Sequence, residues 1–184
     1  TQEICRKEKI RYLLDHGRGR GDGVKIGIAA AQGTYIVFFD ADGSHDAKEI
    51  PLYLAPLIAG NADLVIGSRR TGGSSDMEMN FDGLIRSFGA DILTIMVNRR
   101  FGTKFTDIIY SFRAGTKKAF SYVPLQADDF CIEQDMVVSF LKKNFRIVEI
   151  PSREKARAWG VPKLRTTTGL TLAWNLFFDL YIRR

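Results

Sequence analysis

Two aspartates, Asp40 and Asp42, follow directly after a run of apolar residues. Residues 35–39 are all β-branched or aromatic, which predicts a strand of a parallel sheet that is buried on both faces. Side chains alternate along an extended chain, so both carboxylates point to the same side with the small Ala41 between them. Two carboxylates this close repel each other unless a cation lies between them. Hard oxygen ligands suit Mn²⁺ or Mg²⁺, so the pattern predicts a metal site, with two solvated turn aspartates as the alternative.

A glycine-rich segment precedes this strand. Arg18, Gly19, Arg20 and Gly21 lie in a stretch that has four glycines in seven residues, which predicts a loop. Glycines let backbone N–H groups approach an anion, and the N-terminus of a following helix adds positive potential. The segment predicts a contact with phosphate or base, with an ordinary turn as the alternative.

Helical and extended apolar patterns alternate along the chain. This alternation predicts an α/β fold with a mostly parallel sheet and helices on both faces. In such sheets ligands bind beyond the carboxyl ends of the strands, where Asp40 and Asp42 lie. The predicted helices cover residues 4–14, 24–32, 48–59, 83–101 and 133–143, the predicted strands cover 35–39, 63–67 and 146–151, and a strand with a turn into a short helix is predicted over 106–120.

The composition limits the partners and the compartment. A net charge of +6 with a pI near 9.4 fits phosphorylated small molecules, anionic lipids or nucleic acid. The basic residues form no continuous stripe with interleaved aromatics, so the sequence does not support nucleic acid as a partner. Cys5 and Cys131 lack a metal-ligand spacing and are predicted to be buried free thiols in a reducing compartment. His16 and His45 lack a third ligand at zinc spacing and are predicted to be ordinary loop residues.

Four segments resemble the family-2 glycosyltransferases, in the order and spacing of that family. They are residues 17–70, 101–114 (FGTKFTDIIYSFRA), 130–136 (FCIEQDM) and 146–165 (RIVEIPSREKARAWGVPKLR). The branch that they resemble contains the dolichol-phosphate mannose synthases and the polyprenyl-phosphate glycosyltransferases. The resemblance implies a GT-A fold, a Rossmann-like nucleotide-diphospho-sugar transferase fold, over residues 1–165. The turns that bind base and ribose in the family would precede the first residue, so the resemblance implies an N-terminally truncated fold.

The resemblance also assigns the donor site. In the family the D-x-D pair holds a divalent ion that bridges the diphosphate of the donor, which implies Mn²⁺ or Mg²⁺ on Asp40 and Asp42. Ser44 stands where the mannose synthases have a Gln that completes the metal shell. A mobile loop that closes over the diphosphate supplies two further cations. The residues implied in donor or phosphate binding are Arg18, Arg20, Asp40, Arg157 and Lys163.

The acceptor side is less closely specified by the resemblance. Glu133 best matches the acidic residue that deprotonates an acceptor hydroxyl in the wider family, and Asp135 is the second choice. An acidic helix start that favours the helix dipole is the alternative. A lipid phosphate is already ionised at neutral pH, so it needs cations that hold it rather than a base. The residues implied on the acceptor side are Arg69, Arg86, Ser87 and Arg113.

Residues 166–184 predict an apolar C-terminal helix, interrupted by Asn175 and Asp179. Its apolar part falls short of the roughly 20 residues that span a bilayer. Packing on its own domain or on a second copy in a homodimer is slightly preferred, and contact with a membrane surface is the alternative. The expected location is the cytoplasm, with the inner face of the membrane if this helix binds lipid.

Together these patterns predict an inverting glycosyltransferase that moves a sugar from a UDP- or GDP-sugar to a polyprenyl phosphate. One alternative is an acceptor hydroxyl on a glycan or a small molecule. Another is a sugar-phosphate nucleotidylyltransferase, which shares a similar sheet and metal carboxylates. The third is a non-catalytic, anion-binding module that uses the positive net charge.

Overall fold

The computed structural model describes residues 1–75, 81–160 and 168–182. The helices are α1 (Gln2–Lys7), α2 (Arg20–Ala30), α3 (Ile50–Ile58), α4 (Arg69–Gly72), α5 (Phe81–Phe101), α6 (Lys117–Tyr122), α7 (Ile132–Lys142) and α8 (Thr168–Tyr181). The strands are β1 (Tyr35–Phe38), β2 (Leu64–Ser68), β3 (Arg113–Thr116) and β4 (Ile147–Pro151). A short 3-10 turn, Ala47–Glu49, leads into α3.

The described strands form one sheet in the order β1-β3-β2-β4. β3 runs antiparallel to both of its neighbours, β1 and β2, while β2 pairs with β4 in parallel. Three of the described strands therefore share one direction and β3 is reversed between two of them. The predicted α/β fold is confirmed, but the prediction of a mostly parallel sheet did not include the reversed strand β3.

Alternate residues of the strands enter two apolar cores, one on each face of the sheet. On one face Val65 packs with Tyr53 of α3. On the other face Leu64 packs in a larger core with Val137 of α7 and Leu176 of α8. Neighbouring residues of β2 therefore point to opposite faces, as the period of two in a strand requires. Each fully buried aliphatic side chain contributes about 1.5–3 kcal/mol to the stability of the fold. Both faces of the sheet therefore depend on the helices that cover them.

Two helix boundaries differ from the prediction by more than two residues. The helix predicted over 4–14 ends at Lys7, and Lys9 has a positive φ of 54°. No residue of α1 is buried, and a short helix in water is only marginally stable without packing, which explains why it does not continue. The helix predicted over 24–32 begins earlier, at Arg20, so the second half of the glycine-rich segment is its first turn.

The C-terminal helix α8 packs on α5 and α7. Its buried residues Leu172, Leu176 and Leu180 belong to the larger core. No helix in the described parts of the chain combines the length and the apolar character needed to cross a membrane. Both cysteines are free, and Cys131 is buried whereas Cys5 is partly exposed.

Candidate active site

The candidate functional residues converge at one edge of the sheet because of the strand directions. β1, β2 and β4 end at this edge, and the reversed β3 begins there. Asp40 and Asp42 follow β1, Arg69 follows β2, and Arg157 follows β4. Ser111, which precedes β3, comes to lie beside Asp40. The edge is the one where ligands bind in α/β sheets, as the sequence pattern predicts.

A cleft of about 670 Å³ opens at this edge, a size suited to a small-molecule ligand. The predicted site residues that line it are Arg20, Asp40, Asp42, Arg69, Glu133 and Arg157. Further polar or aromatic residues in its wall are Tyr110, Ser111, Phe130, Glu154 and Trp159.

Asp40 is fixed by partners on both of its carboxylate oxygens. Oδ1 accepts a hydrogen bond from Arg20 Nη2 at 3.0 Å, and Oδ2 accepts one from Ser111 Oγ at 2.8 Å. The backbone N–H of Asp40 donates to His45 Nδ1 at 3.0 Å. The side chain is therefore oriented before a ligand enters the cleft.

Asp42 is held mainly by its own turn. Its Oδ1 accepts hydrogen bonds from the backbone N–H and the hydroxyl of Ser44, at 3.0 and 2.6 Å. Its Oδ2 lies 3.4 Å from Arg157 Nη1. Burial acts to raise the pKa of Asp42, but the Ser44 hydrogen bonds and the charge of Arg157 outweigh it and lower the pKa. Asp42 is therefore an anion at neutral pH, as a metal ligand must be.

Arg20 links Asp40 to the predicted base. Its Nε donates to Glu133 Oε1 at 2.6 Å, while its Nη2 binds Asp40. Burial acts to lower the pKa of Arg20, but the charges of Glu133 and Asp40 outweigh it, so the pKa is raised. Arg20 is the first residue of α2 and Glu133 lies in the first turn of α7. Two helix N-termini thus bring the cation and the carboxylate together.

The segment after β4 runs alongside the acidic turn. The backbone N–H of Lys155 donates to the Ser44 carbonyl at 2.8 Å, and that of Ala158 donates to the Asp42 carbonyl at 2.9 Å. Gly43 has a φ of 85°, and a Cβ there would lie 2.8 Å from the Cβ of Ala158. Only glycine combines this backbone conformation with so close an approach. The contact places Arg157 beside Asp42.

Two backbone N–H groups of the glycine-rich segment, those of Gly21 and Asp22, are not available to an anion. The N–H groups of Gly21 and Asp22 donate to the carbonyls of Asp129 and Asp128, at 3.1 and 3.0 Å. A Cβ on Gly21 would lie 2.3 Å from the Ala127 carbonyl oxygen. The glycine therefore allows close packing against the segment before α7, and these two N–H groups are used within the protein.

Arg69 lines the cleft as a paired cation. Its Nε and Nη2 donate to the two oxygens of Asp107, at 2.7 and 3.1 Å. Its Nη1 lies 3.7 Å from Glu154 Oε2, and its guanidinium lies 5.0 Å from the ring centroid of Tyr110. Asp107 thus orders this wall of the cleft by holding Arg69.

The structure corrects the prediction that Arg113 contacts an acceptor. The residue is 1% exposed, and its Nη1 donates to the Glu133 carbonyl at 2.8 Å. The other nitrogens donate to the carbonyls of Tyr110 and Ile108. Burial lowers its pKa to about 10. Arg113 therefore ties the start of β3 to the first turn of α7 and holds Glu133 from within the protein.

Asp135, the second choice for a base, faces away from the cleft. Its Oδ2 accepts hydrogen bonds from the backbone N–H groups of Gln126 and Ala127, at 2.6 and 2.8 Å. Its Oδ1 accepts one from Ser139 Oγ at 2.8 Å. The carboxylate therefore fixes the segment that enters α7, and Glu133 is the acidic residue of this helix that reaches the cleft.

Four other predicted residues are not among the described residues of the cleft wall. Arg18 is largely exposed and lies beside a different pocket. Ser87 lies on α5, where its Oγ accepts a hydrogen bond from Arg70 Nη2 at 2.7 Å. Arg86 is half-buried on the same helix. Lys163 lies outside the described residues.

His45 lies in a loop, as predicted, but it differs from an ordinary loop residue because its side chain is buried. The side chain is 5% exposed and stacks on Phe112 with ring centroids 4.8 Å apart. Burial lowers the pKa of His45 despite the opposing charges of Asp40 and Asp42. The sequence feature that could have indicated this role is the position of His45 in the turn directly after the two aspartates. From there a polar ring can fold back on the end of the strand.

Ser111 and Trp159 were also missed by the sequence analysis. Ser111 contacts Asp40 from the start of β3, and Trp159 Nε1 donates to the Ala41 carbonyl at 2.7 Å. Both contacts join residues far apart in sequence. Both residues lie in segments that resemble the family, but the resemblance assigned them no role.

The described residues fit a divalent ion held in an open coordination shell. Asp40 and Asp42 line the same cleft, and the described parts of the chain hold no cluster of three or more His, Cys, Asp or Glu suited to a metal. Mg²⁺ commonly binds one or two carboxylates together with substrate phosphates and water, so two acids suffice. Ser44 is 2% exposed and gives its hydroxyl to Asp42, which corrects its predicted place in the metal shell.

Comparison with solved structures identifies the fold. Glucosyl-3-phosphoglycerate synthase from Mycobacterium tuberculosis, crystallised with UDP, aligns with a TM-score of 0.71 and 15% identity over 100% of this chain and 64% of that chain. The same enzyme with Mn²⁺, UDP and glucosyl-3-phosphoglycerate aligns with a TM-score of 0.67 and 16% identity, over 88% of this chain and 55% of that one. The fold is the GT-A fold that the sequence resemblance implies.

Sequence comparison gives the family. The sequence model of Glycosyl transferase family 2 matches residues 1–123. Glycosyltransferase AglJ of Haloferax volcanii is 29% identical over 157 residues, which cover 83% of this chain and 49% of the relative. Polyprenol monophosphomannose synthase of Mycolicibacterium smegmatis is 30% identical over 134 residues, 71% of this chain and 49% of the relative. The chain belongs to family 2 of the glycosyltransferases, and it spans about half the length of these two relatives.

Proposed function

We propose that this chain carries the diphosphate-binding site of a metal-dependent, inverting glycosyltransferase that uses a UDP- or GDP-sugar. The observation that carries the proposal is one cleft in which Asp40 and Asp42 face Arg20, Arg157 and Glu133. Paired carboxylates with adjacent cations suit a metal diphosphate, because the acids bind the ion and the cations bind phosphate oxygens. The related synthase crystallised with Mn²⁺ and UDP supports this proposal.

Each residue has a separate task in the proposed reaction. Asp40 and Asp42 would hold the divalent ion, which as a Lewis acid stabilises the departing nucleotide diphosphate. Arg157 lies 3.4 Å from Asp42 and can exchange this partner for a phosphate oxygen of the donor. Arg20 holds Asp40 and Glu133 in place on either side of it.

A polyprenyl phosphate is the acceptor that we favour. One relative is named a polyprenol monophosphomannose synthase, and Arg69 places a cation in the cleft wall. A phosphate acceptor attacks the anomeric carbon without losing a proton, so it needs no base. The second candidate is a hydroxyl acceptor, which Glu133 favours because this carboxylate reaches the cleft and could accept the hydroxyl proton.

Asp42→Asn tests the metal-dependent donor site. We expect Mn²⁺-dependent transfer or hydrolysis of a panel of UDP- and GDP-sugars to fall about 100-fold or more, because the loss of one metal carboxylate removes several kcal/mol of charge stabilisation. Asp63→Asn is the matched control, since Asp63 precedes β2 at the opposite end of the sheet and binds Arg146. Unchanged transfer in Asp42→Asn, or equal transfer without a divalent ion, would refute the donor site.

Glu133→Gln separates the two acceptor classes. The amide keeps the shape and still accepts from Arg20, but it cannot take a proton. With dolichyl or undecaprenyl phosphate we expect a rate within about tenfold of the wild type, whereas a hydroxyl acceptor should lose about 10²–10⁴-fold.

An apolar surface on the outside of α5 and α8 supports a lipid acceptor. Residues spaced by three or four lie on one side of a helix, and both helices expose such a stripe away from the core. The two helices pack against each other, and exposed apolar residues on neighbouring helices indicate an interaction site. This surface, called here the outer apolar surface, contains Leu84, Phe88, Ile92 and Ile95 of α5 and Leu170, Trp174, Phe177 and Tyr181 of α8.

We propose that the outer apolar surface rests on an anionic membrane leaflet. Arg99 and Arg100 are exposed at the end of α5, and Arg100 Nε donates to the Leu180 carbonyl at 3.2 Å, so these cations lie near the end of α8. Trp174 and Tyr181 are residue types that favour the membrane interface, and cations favour anionic headgroups.

Vesicle sedimentation tests this contact. We expect binding to phosphatidylglycerol vesicles, weaker binding to phosphatidylcholine, and a loss of at least about tenfold in the double variant Phe88→Ser, Trp174→Ser. Ser121→Ala, an exposed change on α6, is the control. A concentration-dependent dimer that the double variant abolishes, with no vesicle binding, would assign the surface to a second copy instead.

A further inference from the structure

A closed chain of hydrogen bonds connects the backbone of Asp40 to its own carboxylate. The Asp40 N–H donates to His45 Nδ1 at 3.0 Å. His45 Nε2 lies 3.2 Å from Ser111 Oγ, and Ser111 Oγ donates to Asp40 Oδ2 at 2.8 Å. The chain uses three residues from two separate segments, the acidic turn and the start of β3.

The backbone N–H fixes the direction of every bond in this chain. An amide N–H can only donate, so His45 Nδ1 must present its lone pair and the ring proton must be on Nε2. Nε2–H then donates to Ser111 Oγ, and the Ser111 hydroxyl proton is left for Asp40 Oδ2. His45 is therefore held in one tautomer, and Ser111 in one hydroxyl orientation.

The surroundings keep this arrangement rigid. The His45 ring stacks on Phe112 at 4.8 Å and meets Phe39 and Tyr110 edge-on, each with centroids 5.3 Å apart. The ring is almost fully buried, so it cannot rotate without displacing aromatic neighbours. Ser111, in contrast, lines the cleft and transmits the position of the ring to Asp40.

The two aspartates obtain their orientation in different ways. Asp42 accepts two hydrogen bonds from Ser44, two residues away in the same turn. Asp40 Oδ2 accepts a hydrogen bond from Ser111, and Oδ1 accepts one from the long side chain of Arg20. A change at Ser111 or His45 should therefore disturb Asp40 and leave Asp42 in place.

We propose that His45 and Ser111 are positioning residues that set the carboxylate of Asp40 for the metal diphosphate. This inference rests on the proposed role of Asp40 in the donor site. Neither residue is a metal ligand in this proposal. Partners that orient a ligating carboxylate commonly change metal affinity by about 10- to 100-fold when they are removed.

The test measures binding of Mn²⁺ alone by electron paramagnetic resonance and of Mn²⁺ with inorganic pyrophosphate by calorimetry. We expect Ser111→Ala and His45→Phe each to weaken binding about tenfold or more. The double variant should be little weaker than either single variant, because both act through one chain of bonds. His45→Asn, whose amide oxygen can still accept from the Asp40 N–H, provides a variant that disturbs folding less.

A histidine outside the cleft provides the matched control. His16 Nδ1 lies 2.9 Å from Asp22 Oδ1, outside the cleft, and His16→Phe should leave Mn²⁺ binding unchanged. Nitrogen-15 NMR of labelled histidine gives a readout that a purely structural role would not move. It should show the His45 proton on Nε2 in the wild type, and a shifted Nε2 resonance in Ser111→Ala.

The outcomes separate this inference from the proposed function. If the wild type does not bind Mn²⁺, or Asp40→Asn and Asp42→Asn bind it normally, the donor site is refuted and the positioning role falls with it. If Asp40→Asn weakens binding but folded Ser111→Ala and His45→Phe bind within twofold of the wild type, only the positioning role is refuted. A His45 proton on Nδ1 refutes the chain of bonds in either case.

Discussion

The cleft and the outer apolar surface differ in how far the described residues of the protein contact and cover their side chains. In the cleft, Arg20, Asp42 and Arg69 each have a partner of opposite charge within 4 Å in the same protein. On the outer surface, Phe88 and Trp174 are each more than half exposed. The chain thus builds its charged site internally, whereas its apolar surface is not covered by the described residues.

This difference predicts two kinds of response to substitution. Residues beneath the cleft hold backbone carbonyls and N–H groups that would be left without partners, so their loss costs stability. Residues of the outer surface are exposed in the folded and unfolded states alike, so their loss costs little stability. The predictions below test this contrast from its largest expected effect to its smallest.

Arg113→Met should destabilise the protein more than any change on the outer surface. The carbonyls of Glu133, Tyr110 and Ile108 lose their donor in the protein interior. We expect the free energy of unfolding to fall by about 3 kcal/mol or more, measured by urea denaturation.

Arg146→Met is the control for this change. Arg146 is largely exposed and pairs with Asp63 at 3.4 Å, a surface contact worth about 0–1 kcal/mol. Equal stability of Arg113→Met and the wild type, with weaker binding of a lipid phosphate, would instead restore Arg113 to the acceptor site.

Asp135→Asn should have an intermediate effect. The amide cannot satisfy all the donors that Asp135 accepts from, namely the N–H groups of Gln126 and Ala127 and the Ser139 hydroxyl. We expect a loss of about 1–3 kcal/mol in the free energy of unfolding. The transfer rate of the folded variant should stay within about threefold of the wild type, and a loss of 100-fold without destabilisation would make Asp135 the base.

The sequence predicted the parts of the site that depend on local pattern. The apolar run of β1 placed Asp40 and Asp42 at a strand end, and the rule for ligand position in α/β sheets then placed the cleft. The resemblance to family 2 added Arg20, Glu133 and Arg157, which the structure brings into the same cleft. Asp40 and Asp42 could be found because motif and strand end coincide in the sequence, whereas the other three followed from the family's motifs.

The rest depends on contacts between distant segments. Nothing local indicates that β3 is reversed beside β1 or that Phe38 pairs with Arg113. That pairing buries Arg113 and brings Ser111 to Asp40. The register between β1 and β3 therefore determines the roles of both Arg113 and Ser111. The resemblance to the family placed Arg113 on the acceptor side, whereas the register of β3 buries it in the protein.

Leu170→Ala should have the smallest effect of all. Leu170 is 79% exposed on α8, whereas Leu172, two residues further along the same helix, is 4% exposed. We expect Leu170→Ala to change the free energy of unfolding by less than about 0.5 kcal/mol, and Leu172→Ala to cost about 2–5 kcal/mol because it leaves a cavity in the larger core. Urea denaturation of both variants in the absence of lipid measures these two changes in the free energy of unfolding. A large loss in Leu170→Ala would mean that the outer apolar surface is covered in solution, and then the contrast with the cleft would not hold.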